Sequence, residues 1–191
     1  MNKVNYRAED RVAVIAIDNP PVNALSAEVL EGLRSAVARA ITDPAVDAAV
    51  LIGHGSTFVA GADIRNLERM ATEVRVASPL PELIATVETA PKPFIAAIHG
   101  NAFGGGLELA MGCHYRIATA EARVGQPEVK LGIIPGAGGT QRLPRLAGVE
   151  TALEMCCFGE PVRAEDALRI GIIDSVAEGD LLALAVQLAK S

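Results

Sequence analysis

Apolar residues along this chain form two patterns: short unbroken runs, and longer stretches where they recur at three- and four-residue spacing. Val12–Ile17, residues 48–52 and Phe94–Ile98 are of the first kind, as expected of strands buried on both faces. The first of these runs ends at Asp18-Asn19-Pro20-Pro21, which cannot continue a strand. Ser26 then reads as an N-cap for a helix over 27–41, with Val29, Leu30, Leu33, Val37 and Ile41 at helical spacing and Glu31, Arg34 and Arg39 between them. Residues 80–89 predict another helix, stopped by Pro91-Lys92-Pro93. Further helices are predicted at 139–146, 149–157, 164–170 and 180–189, and short strands at Tyr115–Thr119, Arg123–Gly125 and 174–176. A short helix is expected after residue 64, residues 71–79 show no clear pattern, and residues 1–11 are polar and of mixed charge. Strands alternating with helices argue for βαβ units, and no linker, repeat or low-complexity tract divides them.

One stretch breaks the pattern. Gly100-Asn-Ala-Phe-Gly-Gly-Gly-Leu-Glu-Leu-Ala-Met-Gly112 follows the run Phe94–Ile98 and leads into an apolar helix, which reads as strand, tight glycine turn, helix. The first amides of a helix have no intrahelical partner, and glycines leave them uncovered by side chains. Glu108 lies three residues beyond Gly105, on the same side one turn later. Two readings are open: an oxygen-binding corner beside a proton-transferring carboxylate, or a helix packed tightly on a strand with a glutamate that complements its dipole. Gly61-Ala62 repeats the exposed-backbone theme in a second turn. Gln126-Pro127-Glu128 predicts a turn that presents an acid, with Pro127 fixing the backbone before it.

Composition narrows the chemistry. The chain has 191 residues, 50% of them hydrophobic, enough for one domain with a substantial core. Aromatic residues make up 3%, so that core is aliphatic and no aromatic platform for nucleic acid is expected. A net charge of -6 gives no electrostatic attraction to nucleic acid or anionic lipid. Cys113, Cys156 and Cys157 lack metal-ligand spacing, and His54, His99 and His114 form no i, i+4 pair, so no metal site is predicted. Free cysteines, with no signal-like segment and no run of membrane-spanning length, point to a soluble protein of the cytoplasm. Gly136-Ala-Gly138 resembles the start of a dinucleotide fingerprint, but Gln141 stands where its third glycine would be. Phosphate-loop and nucleophile-elbow patterns are absent too.

Five motifs then occur in order: Asn19-Pro-Pro-Val-Asn-Ala-Leu-Ser26, Phe58-Val-Ala-Gly-Ala-Asp-Ile64, Gly104-Gly-Gly-Leu-Glu-Leu109, Gly125-Gln-Pro-Glu128 and Pro135-Gly-Ala-Gly-Gly-Thr-Gln-Arg142. Over essentially its whole length the chain resembles the enoyl-CoA hydratase/isomerase (crotonase) family. Gly112-Cys-His-Tyr-Arg-Ile-Ala118 and Ala122-Arg-Val-Gly125 are closest to the hydratase part of multifunctional fatty-acid oxidation enzymes.

The resemblance implies one domain over residues 1–191 with the α/β crotonase (ClpP-like) spiral of repeated ββα/βαβ units. It implies hydration of trans-2-enoyl-CoA thioesters in β-oxidation, with Glu108 activating water and Glu128 protonating the α-carbon. The amides of Ala62 and Gly105, with Gly106 adjoining, would form the oxyanion hole. Val22, Ala24, Asp63, Ile64 and Arg65 would border the coenzyme A moiety, and Gly136 would help position substrate or water. Coenzyme A enters as part of the substrate, and no separate cofactor is implied. The same two carboxylates would permit Δ3-Δ2 double-bond isomerisation. Family members continue with helices that close the acyl pocket and commonly make trimer contacts, and in multifunctional enzymes with a 3-hydroxyacyl-CoA dehydrogenase. On that comparison the chain reads as an N-terminal piece with its C-terminal helical part truncated. A homo-oligomer and an inactive folding or assembly module are both left open.

Overall fold

The computed structural model describes residues 3–61 and 78–191. Their strands form two sheets. Strands β1 (Val4–Glu9), β2 (Val12–Ile17), β3 (Ala48–Gly53), β5 (Phe94–Ile98), β7 (Tyr115–Thr119) and β10 (Ser175–Ala177) form a six-stranded sheet in that order. The second sheet has the order β4 (Val59–Ala60), β6 (Asn101–Phe103), β8 (Arg123–Gly125) and β9 (Val162–Arg163). All neighbours are parallel except the terminal pairs β1/β2 and β8/β9. From β3, β5 and β7 the chain passes to β4, β6 and β8 of the small sheet and returns to the large sheet through helices, which is the expected spiral of ββα units.

The apolar runs become the central strands because both faces of the large sheet are covered. Ile15, Leu51, Phe94, Ala96 and Ile98 join the main core, while Val12, Val50, Ile95 and Ala97 face the other way. Helix α1 (Ala27–Thr42) packs Val29, Leu33 and Val37 into the main core. Its N-cap is Ser26, whose Oγ accepts from Val29 N at 3.3 Å. The opposite face is covered by Leu181 and Ala185 of the C-terminal helix Leu181–Ala189.

Four strands lie where the sequence pattern predicted none: the two-residue β4 and β9, and β1 and β6. β1 is an edge strand in which Val4 and Tyr6 pack on the core while Asn5 and Arg7 face solvent, so its polar half masked it. β6 occupies what reads as a single glycine turn. Its three residues pair with β4 and β8, and the glycines turn the chain on either side of them.

Candidate active site

Helix α2 (Leu80–Glu88) and the small sheet pack around α3 (Gly105–Gly112), all of whose residues are buried. This explains its apolar composition and lack of a polar face. The chain enters α3 through Gly104, whose φ of 52° and ψ of -126° no ordinary side chain adopts comfortably. A Cβ there would lie 2.9 Å from Glu128 Oε1, and one at Gly105 would lie 4.0 Å from Glu108 Oε2. Both predicted carboxylates therefore stand beside the first turn of α3, where the amides of Gly105 and Gly106 have no intrahelical partner.

The two carboxylates are held differently. Glu108, 2% exposed, accepts through Oε1 from the amides of Ala137 and Gly139, each at 2.7 Å. Those amides belong to the second glycine-rich turn, which opens helix α4 (Gly139–Ala147). Burial raises the Glu108 pKa, while the Gly139 and Ala137 amides and the charge of Arg142 offset part of that rise. Glu128, 9% exposed, lies on the 3-10 turn Pro127–Leu131. Burial, with the nearby Glu108 charge adding, pushes its pKa up to about 7. The wholly buried Gln126 sets its side-chain amide 3.0 and 3.1 Å from the two Glu128 carboxyl oxygens, placed to donate to the anion or to accept from the acid.

Of the other predicted residues, Val22 is exposed and its carbonyl accepts from Ala60 N at 3.0 Å. Ala24 is half-buried, and the next residue, Leu25, donates to Gly61 O at 3.0 Å. Both thus run beside the end of β4. Asn23 fixes this loop from within: it is buried, and its Nδ2 donates to His54 O at 2.9 Å and Thr57 O at 2.8 Å. Gly106 packs against Val59 of β4. Gly136 is exposed with open space around its Cβ position, one residue from the Ala137 amide. Ala62, Asp63, Ile64 and Arg65 lie outside the described residues.

The profile of the enoyl-CoA hydratase/isomerase family matches residues 7–191. The chain belongs to the enoyl-CoA hydratase/isomerase family. It is 45% identical to a probable enoyl-CoA hydratase of Bacillus subtilis, covering 94% of this chain and 71% of that one. To the peroxisomal bifunctional enzyme of Danio rerio it is 48% identical over 93% of its length. It spans only 24% of that relative. A solved enoyl-CoA hydratase of Bacillus anthracis superposes with a TM-score of 0.89 at 35% identity, covering 98% of this chain and 75% of that one.

Membership in the hydratase/isomerase family leaves several residues of this site without a sequence signal of their own. Gln126 is visible only as an amide wedged between Gly125 and Pro127, and its hold on Glu128 depends on burial. The two amides that bind Glu108 come from 29 and 31 residues away, a pairing no local spacing discloses. Histidines take structural roles: His114 Nδ1 accepts from Phe94 N at 3.0 Å, and His99 Nε2 lies 3.1 Å from Gly55 O. Cys113, Cys156 and Cys157 are free. Among the described residues no cluster suits a metal ion, and no helix is long and apolar enough to cross a membrane.

Proposed function

We propose that this chain is the hydratase unit of an enzyme that adds water across the 2,3 double bond of a trans-2-enoyl-CoA. The observation that carries this reading is the unequal pair of buried carboxylates at the start of α3. Glu108 has two backbone donors that favour its anion, while Glu128 is shifted to about 7 and holds its proton over much of the neutral range. A base and an acid therefore stand side by side.

The thioester oxygen accepts from the Gly105 amide, with Ala62 as the second donor. Glu108 takes a proton from water as its oxygen bonds to C3, and the C2=C3 electron pair moves toward the thioester. Negative charge develops on the thioester oxygen against the helix start. Glu128 then delivers its proton to C2, giving the 3-hydroxyacyl-CoA, and both carboxyl groups reset by exchange with solvent. Val22, Ala24, Asp63, Ile64 and Arg65 border the coenzyme A moiety, with Arg65 meeting a phosphate and Gly136 lining the water side.

The likeness to bifunctional enzymes, of which the chain matches about a quarter, supports a covalent continuation into a dehydrogenase that would oxidise the 3-hydroxyacyl product. The free cysteines support a reducing compartment, for which we propose the cytoplasm. No cofactor beyond the substrate's own coenzyme A is required.

Turnover of crotonyl-CoA in deuterated water tests the assignment. Hydration places one solvent deuterium at C2 and the solvent-derived hydroxyl at C3. A product without deuterium at C2 would contradict proton delivery by an exchangeable acid. Conversion of a 3-enoyl-CoA to its conjugated isomer with no hydration of crotonyl-CoA would instead make the chain an isomerase.

A further inference from the structure

The turn that binds Glu108 is itself braced from outside. Arg142, on α4, donates from Nη1 to Ala137 O at 3.2 Å, and its Nε and Nη2 donate to Glu88 Oε1 and Oε2 at 3.1 and 2.6 Å. Glu88 is the last residue of α2. The guanidinium lies against Gly138, where a Cβ would stand 2.2 Å from Nη1 and φ is +99°. Glycine at 138 thus lets Arg142 reach back over the turn to the carbonyl of Ala137, the residue whose amide holds Glu108.

We propose that Arg142, braced by Glu88, is a positioning residue that fixes the 137–139 amides and thereby the placement of the Glu108 carboxylate. The inference rests on the reading of Glu108 as the catalytic base. As an ion pair the contact is half open to solvent, with the Arg142 side chain 17% and the Glu88 side chain 48% exposed, so part of its attraction is screened. As a brace it is well placed, because a planar fork spans two helices and a carbonyl at once. Among the described residues the charges around Glu108 are few. Arg142 reaches it from α4, Glu128 from the 3-10 turn and Cys156 from helix α5 (Val149–Phe158), while β4 and β6 bring no ionisable group and Glu88 of α2 is paired to Arg142. Arg142 favours the Glu108 anion and is the only cation among these groups.

The test combines NMR with turnover in Arg142→Gln, Arg142→Lys, Glu88→Gln and the charge swap Glu88→Arg/Arg142→Glu. In Arg142→Gln the Ala137 and Gly139 amide protons should move upfield and the Glu108 carboxyl should titrate at higher pH. Its kcat on crotonyl-CoA should fall on the order of tenfold with KM little changed. Lysine should restore the titration but not the amide shifts, having charge without a fork. Glu88→Gln, which keeps the cation and removes its brace, should move the amides, and it serves if the Arg142 variants do not fold. The swap should recover the melting temperature without recovering either amide, because a carboxylate cannot donate to Ala137 O. Unmoved amides and an unmoved Glu108 titration in folded Arg142→Gln would overturn the proposal, as would a swap that restores every readout. Turnover surviving in Glu108→Gln would overturn the catalytic reading alone, since the amide and titration shifts report on the brace without any reaction.

Discussion

Glu108 and Glu128 are both buried, and what separates them is the charge each one meets: Arg142 offsets the burial of Glu108, whereas the Glu108 charge adds to the burial of Glu128. Two backbone amides stabilise the Glu108 anion, whereas Glu128 sits beside that anion and under a carboxamide. The raised Glu128 pKa makes folding depend on pH in a defined direction. A carboxyl raised from 4.5 to about 7 binds its proton more tightly in the folded state, so its contribution is fully present below about 4.5 and is lost as pH rises through about 7. Glu128→Gln imitates the protonated form. It should melt higher than the parent at pH 8, by ~2–4 °C for each kcal/mol relieved, and nearly level with it at pH 4. Thermal scans at the two pH values check this, and a lower melting temperature at pH 8 would contradict it. At this scale five ordered motifs pointed to Glu108 and Glu128, and the structure buries both beside the first turn of α3. The sequence did not disclose Gln126, Ala137, Gly139 or Arg142 as their partners, because those contacts arise from tertiary packing.

Helix α3 explains both the successes and the omissions of pattern reading at the level of elements. Unbroken apolar runs marked β2, β3 and β5 because parallel strands covered on both faces have no polar side. Ser26 marked the start of α1 because capping is a local act. The three-residue β6 escaped notice because its glycine-rich flanks signal a turn, and pairing on two sides makes it a strand. β1 escaped because an edge strand buries only alternate residues. The entry to α3 through Gly104 carries a prediction of its own. Gly104→Ala forces a side chain into a positive-φ corner and places its Cβ 2.9 Å from Glu128 Oε1. It should cost about 1–2 kcal/mol in urea unfolding and lower turnover by displacing Glu128. Unchanged stability and turnover would show that the corner adapts.

Across the whole molecule, the alternation of strands between two sheets brings together segments remote in sequence. β4, β6 and β8 of the small sheet lead respectively toward residue 62, into the start of α3 and into the 3-10 turn carrying Glu128. The parallel pair β6 and β8 thus delivers the start of α3 and the Glu128 turn to the same end of the small sheet. The family likeness and the geometry meet here, since two buried carboxyl groups and uncovered helix-start amides converge on one spot. The most direct measurement is loss of the conjugated-thioester absorbance of crotonyl-CoA in the parent chain, in Glu108→Gln and in Glu128→Gln. The parent should consume the absorbance, and each variant should lose at least about a hundredfold in rate while still binding acyl-CoA. Parental turnover in either variant, or a parent that binds acyl-CoA and leaves the absorbance untouched, would contradict a two-carboxylate hydratase in this chain.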